Sequence, residues 1–389
     1  MKRLISILSA AALLSCAGPD PVTELSDKVF ELAKTQYAIM DASLSENEYP
    51  RTTNPDGSLR TSDIGWWCSG FYPGSLWYVY EYTSDYDMLK LAWKHTERLK
   101  GLIDMHTDHD IGFQINSSYG NALRLTGDTA SIAPVYIAGA RKLAERFTPA
   151  TGVIKSWDFL MRDWRYPVII DNMMNLEILT TASRLSSDSS LAAVAITHAD
   201  NTLKNHVRDD STTYHMVDYD PETGAVRYRE TVQGLADEST WARGQAWALY
   251  GFTMMYRETG ICEYLKAAES IGNWIVGNLP EDRIPYWDFN DPDIPDALRD
   301  ASAAAIMASA FIELSTLTDN SEYAEAYLDT AEKQLLMLGS DEYLAKEGEN
   351  AGFLLKHGVG HKPNNSEVDV PLSYADYYFL EALVRYSKL

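Results

Sequence analysis

Apolar residues recur at three-to-four spacing in twelve stretches of this chain, and strand-like alternation is scarce. That periodicity constrains the fold more than any other feature, because each stretch has one apolar face that must be buried, and the natural partner is another helix. The stretches are 22–42, 69–82, 86–104, 118–127, 130–146, 171–184, 187–207, 238–258, 260–277, 300–317, 320–337 and 370–387, largely in consecutive pairs. Six helical hairpins of unequal length, joined by loops rich in Trp, Asp and Gly, predict an all-α chain closed into a double ring. Site-bearing loops are then expected where the inner helices end in a wide cleft. An open solenoid of the same hairpins is the alternative, although no strict repeat runs through the sequence. Two segments depart from helical periodicity: 212–220 and 224–232 predict a hairpin turned by "PETG", while "PYWDFN" at 285–290 reads as a loop. With 389 residues, 46% of them hydrophobic, there is ample core for one domain spanning 25–389.

The first residues carry a different message. Lys2 and Arg3 precede an apolar run from Leu4 to Leu14, too short to span a bilayer, and "LLSCAG" follows. A small residue before Cys16 is similar to a bacterial lipoprotein signal, which predicts a signal peptide over 1–15, lipidation of Cys16 and a linker over 16–24. An ordinary cleaved signal peptide is the alternative, and both mean export. The lipoprotein reading places the protein in the periplasm or at the outer membrane of a Gram-negative bacterium, touching membrane only through that lipid. Beyond Cys16 only Cys68 and Cys262 remain, far apart and without metal spacing, so two buried structural thiols are expected.

Net charge is −23, and removing residues 1–15 takes away two further cations. So acidic a surface argues against nucleic acid and against long polyanions held along an open groove. It does not exclude a small anionic ligand in a pocket, where one local Arg or His can dominate.

Three constellations suggest chemistry. In "GWWCSGFYPGSLWYVYEYT" (65–83), aromatics gather just before and within a helix, and Trp67 is placed to be exposed ahead of it. Flat aromatic faces suit sugar rings as well as cores. In "TVQGLADESTWARGQAWALYGFTMMYRETG" (231–260), Asp237 or Ser239 can cap a helix with Glu238 in its first turn. Within it, Trp241, Gln245 and Ala248 share one face and Arg243 and Trp247 another, while Gly244 and Gly251 suggest close approach to a neighbour. An Arg flanked by tryptophans can hold a carboxylate beside a sugar, or simply form a salt bridge. The third segment, 354–379, sets two His and a polar run directly before the last helix, with no metal-binding pattern.

Two aspartates stand out against these. Asp171 in "YPVIIDNMMNL" follows apolar residues and lies at or beside a helix start, where a capping role would be ordinary. Asp110 in "DMHTDHDIGF" has Ile111, Gly112 and Phe113 after it and His106 and His109 near it. Burial would raise both pKa values, and two carboxylates in one apolar cleft would push them apart, as acid–base chemistry near neutral pH requires.

The motifs "WCSGFYPG", "DHDIGF", "IIDNMMNL", "VQGLADESTWARGQAWALYGF", "RDASAAAIMASAFIEL" and "GHKPNNSEVDVPLSYADYYFLEAL" run in order along the chain. Together they resemble glycoside hydrolase family 88, the unsaturated glucuronyl hydrolases. The resemblance implies an (α/α)6 barrel without a cofactor, acting on small unsaturated uronyl oligosaccharides left by polysaccharide lyases. It implies an acid that protonates C4 of the C4=C5 enol ether and water that adds at C5. By motif, Asp171 resembles the general acid and base, and Asp110 the second carboxylate. His215 and Gln233 resemble residues beside the sugar and the attacking water. Trp67, Trp241, Arg243 and Trp247 resemble the stacking and anion-binding wall, and Ser366 lies in a C-terminal loop of the cleft. Cys68 and Tyr72 stand where Thr and Trp are common in the family. A rhamnogalacturonyl hydrolase acting on pectin fragments and a non-catalytic sugar-binding lipoprotein are the competing readings.

Overall fold

The computed structural model describes residues 20–159 and 162–389, so Cys16 and the leader lie outside the described residues. The helices, in chain order, are α1 (Pro21–Ser43), α2 (Phe71–Thr83), α3 (Tyr86–Arg98), α4 (Ile111–Ile115), α5 (Asn121–Thr126) and α6 (Thr129–Ala144). After them come α7 (Glu177–Ser186), α8 (Ser189–Asn205), α9 (Ala242–Thr259), α10 (Cys262–Asn278), α11 (Ala301–Leu317), α12 (Ser321–Leu338) and α13 (Ser373–Tyr386). A π-helical turn, Asn116–Gly120, joins α4 to α5 into one rod, and a 3-10 turn, Ile170–Asn175, leads into α7.

Burial sorts these elements into two layers. Along α9, every residue from Ala242 to Met255 is buried, as is every residue from Ala301 to Ile312 in α11 and from Ser373 to Val384 in α13. Helices buried all round belong inside. By contrast α1, α3, α8, α10 and α12 bury one stripe and expose the other. The inner elements pack in sequence: α2 on the α4–α5 rod, that rod on the 170–175 turn and α7, then α9, α11 and α13, which closes on α2. The result is an (α/α)6 barrel, a ring rather than a solenoid.

The two ends of the barrel differ. At one end inner helices pass to outer ones through tight turns, capped by Asp85, Asp128, Asp188 and Asn320. At the other, long connections carry the small sheets. These are the hairpin β1 (Tyr49–Thr53) with β2 (Leu59–Ser62), the pair β3 (Phe147–Thr148) and β4 (Val153–Ile154), and a three-stranded sheet. That sheet runs β5 (Pro167–Ile169), β6 (Met216–Tyr219), β7 (Val226–Glu230), and a last hairpin pairs β8 (Gly358–His361) with β9 (Ser366–Val370). The β6–β7 hairpin is the one expected around "PETG"; β5 beside it was not expected.

Three further readings need correction. The fourth helical segment begins at Ile111 rather than 118, because the polar run Asn116–Ser118 sits in the π turn and hides the periodicity. Helix α9 begins at Ala242, and neither Asp237 nor Ser239 caps it: the Ala242 N–H is taken by the Trp287 carbonyl at 3.1 Å. Asp237 instead accepts from the Thr231 N–H and Ser239 donates to Asp288, holding the loop before the helix. Cys68 is buried as expected, but Cys262 is exposed, since it opens an outer-layer helix with one face to solvent.

Candidate active site

The N-terminal ends of the inner helices meet at a cavity of about 440 Å³, beneath the long connections. Asp110 and Asp171, separated by 61 positions in sequence, both line it. Asp110 immediately precedes α4, and Asp171 is the second residue of the 170–175 turn, where it caps no helix.

What brings the two together is close packing at glycine. A Cβ on Gly112 would lie 2.4 Å from Asn175 Oδ1 and 2.7 Å from the Asn175 Cα, so only glycine lets α4 press on the 170–175 turn. Asn175 then accepts the Phe113 N–H at 2.6 Å, tying one aspartate's element to the other's. On the opposite side, α9 closes on the same turn: a Cβ on Gly251 would meet the Met173 Cβ at 2.5 Å. The spacing of Gly244 and Gly251 thus does mark a pressed interface, and its partner is the turn carrying Asp171.

Burial sets the electrostatics. Desolvation pushes the Asp171 carboxyl up to about 6, against the pull of the Arg243 charge and, more weakly, the Trp247 indole. Asp110 is raised well above the usual carboxylate range by burial first, then by the negative charges of Asp108 and Asp171. Each carboxyl faces a neutral imidazole. The Val232 N–H donates to His215 Nδ1 at 2.9 Å, so the ring proton of neutral His215 sits on Nε2, which lies 3.8 Å from Asp171 Oδ2. Burial and the Arg243 charge hold His215 well below its ordinary pKa, which keeps it neutral. His109 Nε2 stands 3.5 Å from Asp110 Oδ1 in the same manner, with its pKa lowered to about 3 by burial. Asp171 Oδ2 and His215 Nε2 are buried without a hydrogen-bond partner. Unpaired buried polar atoms are costly, and because Asp171 lines the cavity a ligand there would offer its Oδ2 a partner.

The other expected residues divide. Gln233 lines the cavity and donates to the Gly360 carbonyl at 3.2 Å; Ser366 lines it from β9. Trp67 is half-buried and faces the cavity, tilted on Tyr374 with ring centres 4.9 Å apart. Trp241 and Trp247 do not line it. Trp241 is buried against His215 at 4.7 Å, and Trp247 against Phe113 and Tyr378, so both support the site from behind. Arg243 reaches the cavity but is already engaged: it pairs with buried Asp300 at 3.2 Å and donates to the Val359 and Gly360 carbonyls. Its charge lowers Asp171 while its donors fix the β8–β9 hairpin.

Sequence reading missed half-buried Trp66 and Trp157 and exposed Phe159 on the cavity wall, with Trp157 and Phe159 stacked at 5.1 Å. It also missed Asp108, whose carboxylate accepts the Asp110 N–H at 2.9 Å, though Asp108 stands in the motif that held Asp110. A second hollow, of about 500 Å³, lies at the tight-turn end of the barrel. Its charges satisfy one another: Arg257 binds Glu177 and Glu313, Arg385 binds Glu313, and Arg124 binds Glu81.

No family model matches the chain. Curated relatives do. It is 45% identical over 325 residues to an unsaturated glucuronyl hydrolase of Formosa agariphila, covering 83% of this chain and 80% of that one. It is 33% identical over 370 residues to an unsaturated chondroitin disaccharide hydrolase of Streptococcus agalactiae, covering 94% and 92%. The crystal structure of an unsaturated glucuronyl hydrolase specific for heparin superposes with a TM-score of 0.90 at 44% identity, over 94% of this chain and 97% of that one. With this degree of identity along nearly the whole barrel, the chain belongs to the unsaturated glucuronyl hydrolases, glycoside hydrolase family 88.

Proposed function

We propose that Asp171 is the acid and base of the reaction, and that Asp110 holds the sugar and tunes it, on unsaturated disaccharides derived from glycosaminoglycans. The observation that carries this reading is the pair of buried carboxyls in one cavity, the Asp171 pKa raised to about 6 and a neutral His215 Nε2–H facing it. An acid of that strength is partly protonated near neutral pH and becomes a competent base once ionised.

The chemistry follows from a non-reducing-end uronate with a C4=C5 double bond. Protonated Asp171 gives its proton to C4, and positive charge develops at C5, shared with the ring oxygen. Water adds at C5 and returns a proton to the Asp171 carboxylate. The resulting hemiketal opens as the C5 hydroxyl loses its proton and the C5–O bond breaks, leaving a ketone at C5 and a hemiacetal at C1. That hemiacetal collapses to an aldehyde and releases the remaining sugar as an alcohol. One water is consumed and Asp171 ends as it began. His215, with its proton on Nε2, orients the attacking water or a sugar hydroxyl; Gln233 lies beside it. Trp67 together with Trp157 and Phe159 stacks the sugar rings.

Glycosaminoglycan-type substrates are supported by the activities named for the Streptococcus agalactiae relative and the heparin-specific structure. A pocket of this size suits a disaccharide end rather than a long polyanion, in keeping with the acidic surface. Export by the leader, with lipid on Cys16, belongs to the same proposal. No described helix is long and apolar enough to cross a membrane.

The test is loss of the ultraviolet absorbance of the conjugated carboxylate, on chondroitin- and heparin-derived unsaturated disaccharides and on a rhamnogalacturonan fragment. The wild type should consume the first two classes, and Asp171→Asn should consume none while still binding. Turnover by the variant, or consumption of the pectin fragment alone, would overturn the reading.

A further inference from the structure

The substrate is an anion, yet the cavity is acidic: Asp108, Asp110, Asp171 and Glu367 line it. Of the cationic side chains on its wall, Arg243 is spent on Asp300 and two backbone carbonyls. Lys362, nearby in sequence, does not line the cavity; it lies 3.6 Å from Asp291 and over the Trp287 ring. Among the described residues that leaves Arg51, on strand β1, whose guanidinium carbon lies over the Trp66 ring, 3.7 Å from its centre. Its Nε donates to Glu367 on β9 across the cavity rim, and both side chains are largely buried. Its terminal nitrogens, Nη1 and Nη2, make no hydrogen bond among the described residues.

A guanidinium stacked on one face and clamped through Nε presents its remaining fork in a fixed direction, and that fork matches carboxylate and sulfate geometry. Glu367 is itself held in place. Its backbone lies in the left-handed region at φ 58°, unusual for a glutamate, with its Cβ against Gly360. Arg51 and Glu367 join two hairpins at the rim rather than two helices of the ring.

We propose that Arg51 is a specificity-determining residue that receives an anionic group of the substrate through its terminal nitrogens. The group is a carboxylate or sulfate, carried either by the unsaturated uronate or by the leaving sugar. This inference rests on the cavity being the active site.

The experiment is steady-state kinetics of Arg51→Gln, Arg51→Lys and Glu367→Gln on two unsaturated disaccharides, one without sulfate and one sulfated on the leaving sugar. Thermal unfolding is followed for each variant. Arg51→Gln should raise KM roughly ten- to a hundredfold, the range for losing one charge-assisted hydrogen bond, with kcat nearly kept. Arg51→Lys should recover part of the loss, and Glu367→Gln, which removes a competing carboxylate, should lower KM. An effect on both substrates identifies the uronate carboxylate as the group bound; an effect on the sulfated one alone identifies the leaving sugar. Unchanged KM in Arg51→Gln on both substrates overturns the proposal. So does an equal rise in Arg51→Gln and Glu367→Gln with melting temperature lowered alike in both, which would make the pair a structural tie between the hairpins and not an anion site. Turnover by Asp171→Asn would instead overturn the assignment of the site, whatever Arg51 does.

Discussion

Replacing Asp171 by Asn should stabilise the protein at neutral pH while it abolishes turnover. In the folded state the Asp171 carboxyl is raised from 3.8 to about 6 by burial, so the fold disfavours its ionised form. Below about pH 4 the group is protonated in both folded and unfolded chains, and burial costs nothing through charge. As pH rises from about 4 to about 6, the unfolded chain releases its proton first, the folded state holds more protons, and stability falls. Above about pH 6 the loss is complete. A shift of roughly two units corresponds to about 3 kcal/mol at 1.36 kcal/mol per unit. Asn is close to Asp in size and carries no charge, so Asp171→Asn should recover most of that amount at pH 7.5 and none at pH 4. With an unfolding entropy of about 2.1 cal/mol/K per residue, a two-state chain of this length would melt about 3–4 °C higher. The assay is thermal unfolding of wild type and variant across pH 4 to 8. A variant equal to or weaker than wild type at pH 7.5, or a gain undiminished at pH 4, would show that Asp171 is not held in the environment described.

Other consequences are open to simple tests. In the proposed mechanism protonated Asp171 begins the reaction, so kcat/KM of the wild type should fall as pH rises through about 6, approaching tenfold per unit; a rate that rises from pH 6 to 8 would refute the assignment. Gly112→Ala places a methyl 2.4 Å from Asn175 Oδ1, so it should destabilise by about 1–3 kcal/mol and lower kcat more than tenfold by parting the aspartates. Thermal unfolding and turnover measured together would check both. Cys16→Ala should abolish incorporation of labelled fatty acid and release the protein from membranes during fractionation; incorporation that persists would rule out Cys16 as the modified residue.

The helices were legible because burial on one or all sides imposes a period that composition cannot disguise, as in "RDASAAAIMASAFIEL" for the inner helix α11. Boundaries were harder where tertiary contacts replaced local ones. The start of α9 looked capped by Asp237 or Ser239, yet its first N–H finds the Trp287 carbonyl, a partner from a loop 45 residues on. The paired aspartates could be named because an acid inside an apolar run is unusual by itself, and because the motifs around them resemble those of a known family. Their actual environments could not be read. That Gly112 admits Asn175, and that backbone amides fix the His215 tautomer, are facts of contact between segments distant in sequence. Arg243 shows the limit most plainly. Its flanking tryptophans suggested a ligand contact, but Asp300 and the β8 carbonyls, invisible from residue 243 outward, claim its donors. Trp241 and Trp247 turned inward, and the aromatic wall of the cavity came from Trp66, Trp67, Trp157 and Phe159.

In the proposed mechanism the enzyme hydrates a double bond rather than cleaving a glycosidic bond directly, with Asp171 delivering the proton to C4. The measurement that tests it most directly is proton nuclear magnetic resonance of an early-quenched reaction in heavy water. The account predicts one deuteron at C4 of the product, on a single face, appearing in step with the loss of ultraviolet absorbance and absent with Asp171→Asn. Release of the uronic acid with its C4=C5 double bond intact and no deuterium at C4 would contradict it.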